Sequence, residues 1–373
     1  MAGIYLHVPY CKVKCHYCDF HFSTQHKSIP AMAIAMNKEI EQRSAYLGNE
    51  IISTIYFGGG TPSLFSAEMI GEFIEKIKNT NKVSDDVEVT IECNPDDLNE
   101  NNLRAFKSIG VNRLSIGIQS FDDDVLKFMN RAHSNKQTIS CLNAAKESGF
   151  QNITVDLIYG VPNTDLNYWK RQLANFEKFD LPHLSSYCLT IEPKTFFGKQ
   201  QKSGLLKPVQ DDTSLEQFQY LMDFMRERNF EHYEISNFAK EGFISKHNSS
   251  YWLGTKYLGI GPSAHSYNGI QRGWNISNNA VYIQKIDSGI ICHETENLTI
   301  AEKCNDYILT RLRTKWGIDL NDLTFILPEQ LLQIQNKILH YIKEGLIKQT
   351  GEVYILTDQG KYRADGIAAD LFI

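Results

Sequence analysis

Two hydrophobic periods take turns along the first 190 residues. Short apolar, β-rich runs of strand length lie at 4–8, 51–57, 87–93, 113–119, 153–159 and 183–191. Residues such as Pro9, Gly58, Asn94-Pro95 and Gly160 break them, and these types end a sheet ladder or turn the chain. Between the runs, residues 29–47, 66–79, 99–109, 122–129, 135–148 and 166–179 read as helices. In the first, the apolar positions are 34, 36, 40 and 47; Gly110 and Gly149 suit C-terminal caps of later ones. Six alternations of strand and helix predict a parallel sheet with helices outside, either doubly wound or an incomplete (β/α) barrel. In both, ligands sit beyond the C-terminal ends of the strands.

The pattern breaks after Pro193. Residues 194–210 form a polar connection, 213–228 a helix with Phe218 and Phe224 on an aromatic face, and 233–274 a loop-rich stretch of aromatics and glycines. The tail carries helices near 301–313 and 329–344, short strands around 346–349 and 353–356, and a last helix, an order similar to a winged-helix module. The expected division is 1–200, 201–298 and 299–373.

Composition narrows the class. The 373 residues are 42% hydrophobic and 22% charged, as in soluble globular proteins. A net charge of −6 speaks against a broad nucleic-acid footprint. There is no 18-residue apolar run and no signal-like N-terminus, so a cytoplasmic location is expected, where thiols stay reduced. Cys93, Cys141, Cys188, Cys292 and Cys304 are scattered singly and read as small core residues.

The other three cysteines, Cys11, Cys15 and Cys18, follow the first strand in the spacing C-x3-C-x2-C. Three thiolates on one loop can converge on one metal centre, one ligand short of the usual four of an electron-transfer [4Fe–4S] cluster. One iron is then left open. A zinc site with His16 or His21 as fourth ligand, or unrelated buried thiols, are the alternatives. Gly58-Gly59-Gly60-Thr61-Pro62 after the second strand offers unobstructed backbone N–H groups to a carboxylate or an amino-acid moiety, or is a plain turn. It lacks the Lys-Ser/Thr ending of a P-loop. Glu92, Gln119, Asp156 and Thr190 fall at or near the ends of strands three to six, with Arg131 close by in sequence to the fourth. Together they suit a cofactor's ribose, amino and carboxylate groups; singly, Glu92 can pair with a surface lysine and Arg131 can lie on a solvated helix. In His247-Asn248-Ser249-Ser250-Tyr251-Trp252, an imidazole precedes an aromatic pair. That combination suits a haem iron ligand with packing surfaces, or a hydrogen-bonded structural histidine.

The cysteine spacing with Tyr17 between the last two cysteines resembles the signature of radical S-adenosylmethionine (SAM) enzymes. Tyr5-x-His7-x-Pro9, the GGGTP loop, Glu92-Cys93-Asn94-Pro95, Gly117-Ile118-Gln119-Ser120-Phe121, Asp156-Leu157-Ile158-Tyr159-Gly160-Val161-Pro162 and Leu189-Thr190-Ile191-Glu192-Pro193 together resemble the HemW/HemN group of that superfamily. The resemblance implies an α/β fold, a radical SAM partial (β/α)6 barrel, with a smaller α+β C-terminal region. It implies Cys11, Cys15 and Cys18 as cluster ligands. It implies Tyr5, Tyr17, Gly59, Gly60, Thr61, Glu92, Gln119, Arg131 and Asp156 as contacts of the cluster or SAM. Thr190 and His265 stand where the oxidase branch adds SAM contacts, but with different residue types.

HemN converts two propionates of coproporphyrinogen III to vinyls through a 5′-deoxyadenosyl radical; HemW is regarded as a haem chaperone. Phe20 occupies the place of the oxidase's fourth cysteine, only ten residues precede Cys11, and the H-N-x-x-Y-W motif is complete at 247–252. These features resemble the HemW branch. They imply haem held near His247 and Trp252 and passed to an acceptor protein, with a membrane respiratory haem protein as one class of acceptor, and no coproporphyrinogen dehydrogenase activity. The rivals are a true coproporphyrinogen III dehydrogenase and an RNA-modifying radical SAM enzyme, which the acidic charge disfavours.

Overall fold

The computed structural model describes residues 1–373. The chain opens with β1 (Ala2–Val8), α1 (Ile29–Gln42), β2 (Ile52–Gly59), α2 (Ala67–Thr80), β3 (Val83–Cys93), α3 (Glu100–Ser108) and β4 (Arg113–Gln119). It continues with α4 (Asp123–Phe128), α5 (Asn135–Glu147), β5 (Asn152–Tyr159), α6 (Leu166–Glu177) and β6 (His183–Cys188). β1 to β6 pair in parallel in sequence order. This is the α/β arrangement expected, and local chemistry explains its helices. In α2, Ile70, Phe73, Ile74 and Ile77 form one buried stripe, and Ser66 caps the first turn by accepting from the Met69 N–H. A Ser134–Gln137 capping box opens α5.

Side chains alternate across the sheet. Ile4, Leu6, Val8, Ile55, Phe57, Val89, Ile91, Leu114, Ile116, Ile153 and Val155 face the helices and belong to a core of 55 buried residues. The opposite face is polar and aromatic: Tyr5 and His7 on β1, Thr54 and Tyr56 on β2, Glu88 and Glu92 on β3, Arg113 on β4, Asp156 on β5.

The middle of the chain departs from the sequence-based expectation. The connection at 194–210 contains a helix, α7 (Phe196–Lys202), because the Thr195 hydroxyl caps it by accepting from the Gly198 N–H. β6 stops at Cys188 rather than continuing to 191. α1 ends at Gln42, short of 47. After α8 (Asp211–Glu227), the supposed loop region holds regular structure: β7 (Glu231–Glu234), β8 (Asn237–Ala239), α9 (Lys246–Trp252), β9 (Lys256–Ile260), β10 (His265–Tyr267) and β11 (Gln271–Asn275). α10 (Asn279–Asp287) and β12 (His293–Asn297) follow. β8 and β7 extend the sheet beyond β6, while β9, parallel to β1, leads β10–β12 out from the other side, giving twelve strands. A buried network ties that second wing to α1: Arg43 pairs with Glu39 at 3.0 Å, and Asn275 donates to Glu39 at 2.7 Å.

The tail comprises α11 (Ile300–Leu312), β13 (Ile318–Asp319), α12 (Pro328–Lys343), β14 (Ile347–Thr350), β15 (Val353–Leu356), α13 (Asp358–Lys361) and α14 (Ala364–Leu371). Its three strands are ordered β13-β15-β14, over a separate core of 16 buried residues. It meets β7 where Arg313 pairs with the buried Glu234 at 3.3 Å. No helix is long and apolar enough to cross a membrane.

Candidate functional site

The loop after β1 carries the three cysteines and is pinned on several sides. The His16 N–H donates to the Met129 carbonyl and its own carbonyl accepts from the Phe197 N–H, both at 3.0 Å. The His16 Nδ1 meets the Phe128 carbonyl at 2.8 Å, and its ring stacks on Phe196 with centroids 4.0 Å apart. His21 reaches Asn279 at 2.8 Å. Each of these histidines thus has one ring nitrogen engaged and the other without a hydrogen-bond partner. Cys11, Cys15 and Cys18 are free and partly buried. Burial pushes the Cys11 thiol up to about 12, with the Cys18 and Cys15 thiols adding to the rise. Cys15 and Cys18 thus both lie near enough to the Cys11 sulfur to oppose its ionisation, an opposition that a nearby multivalent cation would relieve.

Two loops at the C-terminal ends of the strands close on these thiols. Thr61 lies 3.6 Å from the Cys11 sulfur and accepts from Asn94 at 3.1 Å. Arg131 donates to Asn94 at 2.6 Å and to the Gly117 carbonyl at 2.7 Å, and reaches the Cys15 sulfur at 3.4 Å and the Tyr17 hydroxyl at 3.5 Å. Its Nε is buried without a partner. Asn94 was not among the expected site residues; its place two positions past Glu92, at the end of β3, was the available signal.

Glycine is required where the chain must come close. Gly59 has φ +108, donates its N–H to Glu92 at 3.2 Å, and a Cβ there would lie 2.6 Å from His7 Nδ1. A Cβ on Gly117 would meet Gln119 Nε2 at 2.9 Å, Arg131 Nη2 at 3.5 Å and Asp156 Oδ2 at 3.9 Å. Three residues expected from sequence thus converge over one bare backbone position. Gln119 itself adopts φ 61, in the left-handed region that non-glycine residues rarely occupy, and the β4–β5 register shifts just before it.

Glu92 accepts from the Tyr56 hydroxyl at 2.8 Å. Desolvation raises its pKa to about 7; the Tyr56 hydrogen bond opposes the rise and Asp156 adds to it. Asp156 is likewise raised to about 7 by desolvation, against Ser185 and Arg131. Tyr5 lies beside Gly58 and contacts His7 at 3.2 Å. The rim therefore combines a thiol triad, an arginine with a spare donor, and two carboxyls poised near neutrality.

The H-N-x-x-Y-W segment lies elsewhere. It forms α9, and His247 is 1% exposed. Nδ1 is hydrogen-bonded to the Thr54 hydroxyl at 2.8 Å and Nε2 to the Tyr251 hydroxyl at 2.9 Å. Burial depresses its pKa to about 3. In this conformation neither nitrogen of His247 is free, so a haem iron would have to displace one of these two partners. Trp252 lies under the Arg313 guanidinium, 5.6 Å from it, with its indole N–H buried and unpartnered. Among the eleven histidines, His265 has neither ring nitrogen hydrogen-bonded; it is exposed on β10, opposite Trp274.

The sequence model of the Radical SAM superfamily matches residues 5–171. The heme chaperone HemW of Bacillus subtilis is 35% identical over 366 residues, covering 97% of this chain and 96% of that protein. The chain belongs to the HemW family of radical SAM proteins. HemW of Haemophilus influenzae is 30% identical over 370 residues, covering 96% and 94%. Among solved structures, the coproporphyrinogen III oxidase HemN of Escherichia coli superposes with a TM-score of 0.84 at 21% identity, covering all of this chain and 90% of that one, which shows a shared fold.

The superfamily implies a [4Fe–4S] cluster and SAM; the three free thiols are the donor type such a cluster takes, while no group of three such side chains is gathered closely enough to hold a single metal ion. Cys11, Cys15 and Cys18 would hold the cluster. The Gly59–Thr61 backbone, Glu92, Gln119, Arg131 and Asp156 would face SAM. When bound, a cluster held by three thiolates supplies an iron with a vacant position for SAM to chelate.

Proposed function

We propose that the protein is a haem chaperone that carries a SAM-ligated [4Fe–4S] cluster, binds haem, and transfers it to an acceptor protein in the cytoplasm. Similarity to HemW along nearly the whole chain carries this reading. A side chain adds support: Phe20 stands where the oxidase branch has its fourth cysteine, and it is 73% exposed beside the thiol loop. The eight free cysteines suit a reducing compartment.

For the haem ligand we favour His265. Its ring is unencumbered, burial lowers its pKa and so favours the neutral form, and Trp274 lies 6.3 Å away across the hairpin. Neutral imidazole is the form that binds iron. His247 can serve only after giving up its Thr54 or its Tyr251 contact, whichever nitrogen takes the iron. Haem titration of the apoprotein tests this: His265→Ala should alter the Soret band and weaken binding, while His247→Ala should leave the band position unchanged. The reverse outcome would assign the iron to an opened α9.

The second reading, a coproporphyrinogen III dehydrogenase, is favoured only by the fold shared with HemN. Incubating the reconstituted protein with coproporphyrinogen III, SAM and a reductant should yield no protoporphyrinogen.

A further inference from the structure

We propose that His247 and Tyr251 are positioning residues for SAM, acting through Tyr56 on Glu92. The proposal rests on the reading of Glu92 as a SAM contact and gives the H-N-x-x-Y-W segment a task that surface haem binding does not.

The geometry begins at Glu92. Its Oε1 accepts from the Tyr56 hydroxyl at 2.8 Å, so the tyrosine ring fixes where the carboxylate points. That ring is 8% exposed and lies within a stack. The His247 imidazole covers it with centroids 4.8 Å apart and planes 23° apart; Tyr5 lies 6.1 Å away at 28°. The imidazole is in turn immobilised at both nitrogens, by Thr54 and by Tyr251. A Cβ on Gly3 would come within 3.3 Å of the imidazole, so β1 leaves room for that ring.

α9 is anchored independently of this stack. Glu88 accepts from the Lys246 N–H at 3.2 Å and the His247 N–H at 3.0 Å. Glu88 and Glu92 lie four residues apart on the same face of β3. One strand therefore presents one carboxylate that seats α9 and another that faces the cofactor, with Tyr56 and His247 bridging them. A carboxylate that must orient a ligand works best when its own partners cannot swing, and buried stacked rings with paired polar ends supply that. An iron ligand, by contrast, needs a lone pair directed at open space, which His247 lacks.

The test uses anaerobically reconstituted full-length protein, with labelled SAM in equilibrium dialysis, the SAM-induced change in the reduced cluster's EPR spectrum, and haem affinity measured in parallel. Tyr56→Phe removes only a hydroxyl, and His247→Leu removes both hydrogen bonds. Each should weaken SAM roughly tenfold or more, the usual effect of losing a hydrogen bond to a charged group. Iron content and haem affinity should stay at wild-type levels. His247→Gln, whose amide can both donate and accept, should recover most of the SAM affinity and the EPR change. Wild-type SAM affinity in both Tyr56→Phe and His247→Leu would overturn the proposal. So would loss of haem affinity in His247→Leu with SAM binding intact. If the wild-type protein binds no SAM, the cofactor reading falls and this proposal with it; failure confined to the variants leaves that reading standing.

Discussion

The two ends of one polar sheet face make an instructive pair. At the N-terminal end, Arg113 donates to Asn152 at 2.5 Å, Thr154 at 2.6 Å and the Phe243 carbonyl at 3.1 Å, with Glu88 3.9 Å away. Glu88 holds two backbone N–H groups, and His247 uses both nitrogens. At the C-terminal end, Arg131 keeps a buried Nε without a partner, Gln119 is in the left-handed region, and three thiols remain free. Both ends bring charged groups together on the same strands. Polarity alone therefore does not mark a site. At the first end these groups hold the molecule together; at the second they are held in readiness for something else.

The sharpest break between the two ends should come from the thiols. Replacing Cys11, Cys15 and Cys18 together by Ser should abolish iron uptake while the apoprotein keeps its fold, checked by iron analysis and circular dichroism. Full iron content in that variant would remove the distinction altogether. Arg113→Met should do the opposite, leaving the thiols intact but costing about 3–5 kcal/mol, the usual loss when one member of a buried ion pair is removed. Urea unfolding of the apoprotein measures it.

A third prediction concerns pH. Glu92 and Asp156 both have folded pKa values raised to about 7, so the folded state binds more protons than the unfolded one between the ordinary carboxyl range and that value. Their contribution is fully present below about pH 4 and is lost as pH rises through about 7, on the order of a few kcal/mol in total. Apoprotein unfolding followed from pH 5 to pH 8 should show this decline, and the double variant Glu92→Gln, Asp156→Asn should flatten it. Gly117→Ala should act more gently, displacing Gln119 and weakening SAM by roughly tenfold with little change in stability, since one lost polar contact is worth about that much. Phe20→Ser should matter least: at 73% exposure its effect on stability should stay within about 0.5 kcal/mol.

The rim was largely legible in the sequence because it is written in local terms. Cysteine spacing, a glycine run after a strand, and carboxylates or amides at strand ends are visible within a few residues of one another. β4, Arg113–Gln119, lies where the alternation put it. The lower end was illegible because its partners are scattered: His247 meets Thr54, 193 residues away, and its N–H meets Glu88, 159 residues away. Nothing near His247 announces burial. The Tyr257–Ile260 stretch was likewise hidden, since a short strand flanked by glycines is identified only by the β1 edge it joins. Tyr56 escaped notice because it sits inside a strand, where a tyrosine reads as packing rather than as the donor that orients Glu92.

The seating of α9 also bears on rates. It sits against β1 and β2 and is held to β3 through Glu88, so a ligand bound among the strand ends enters from the opposite, cysteine-bearing side. Where two ligands share one entrance, traffic is ordered: the deeper occupant arrives first and departs last. A bulky molecule resting at the rim, with no contact to what lies beneath, would slow the inner ligand's entry and exit by the same factor. Its equilibrium affinity would stay where it was, and only its residence time would lengthen.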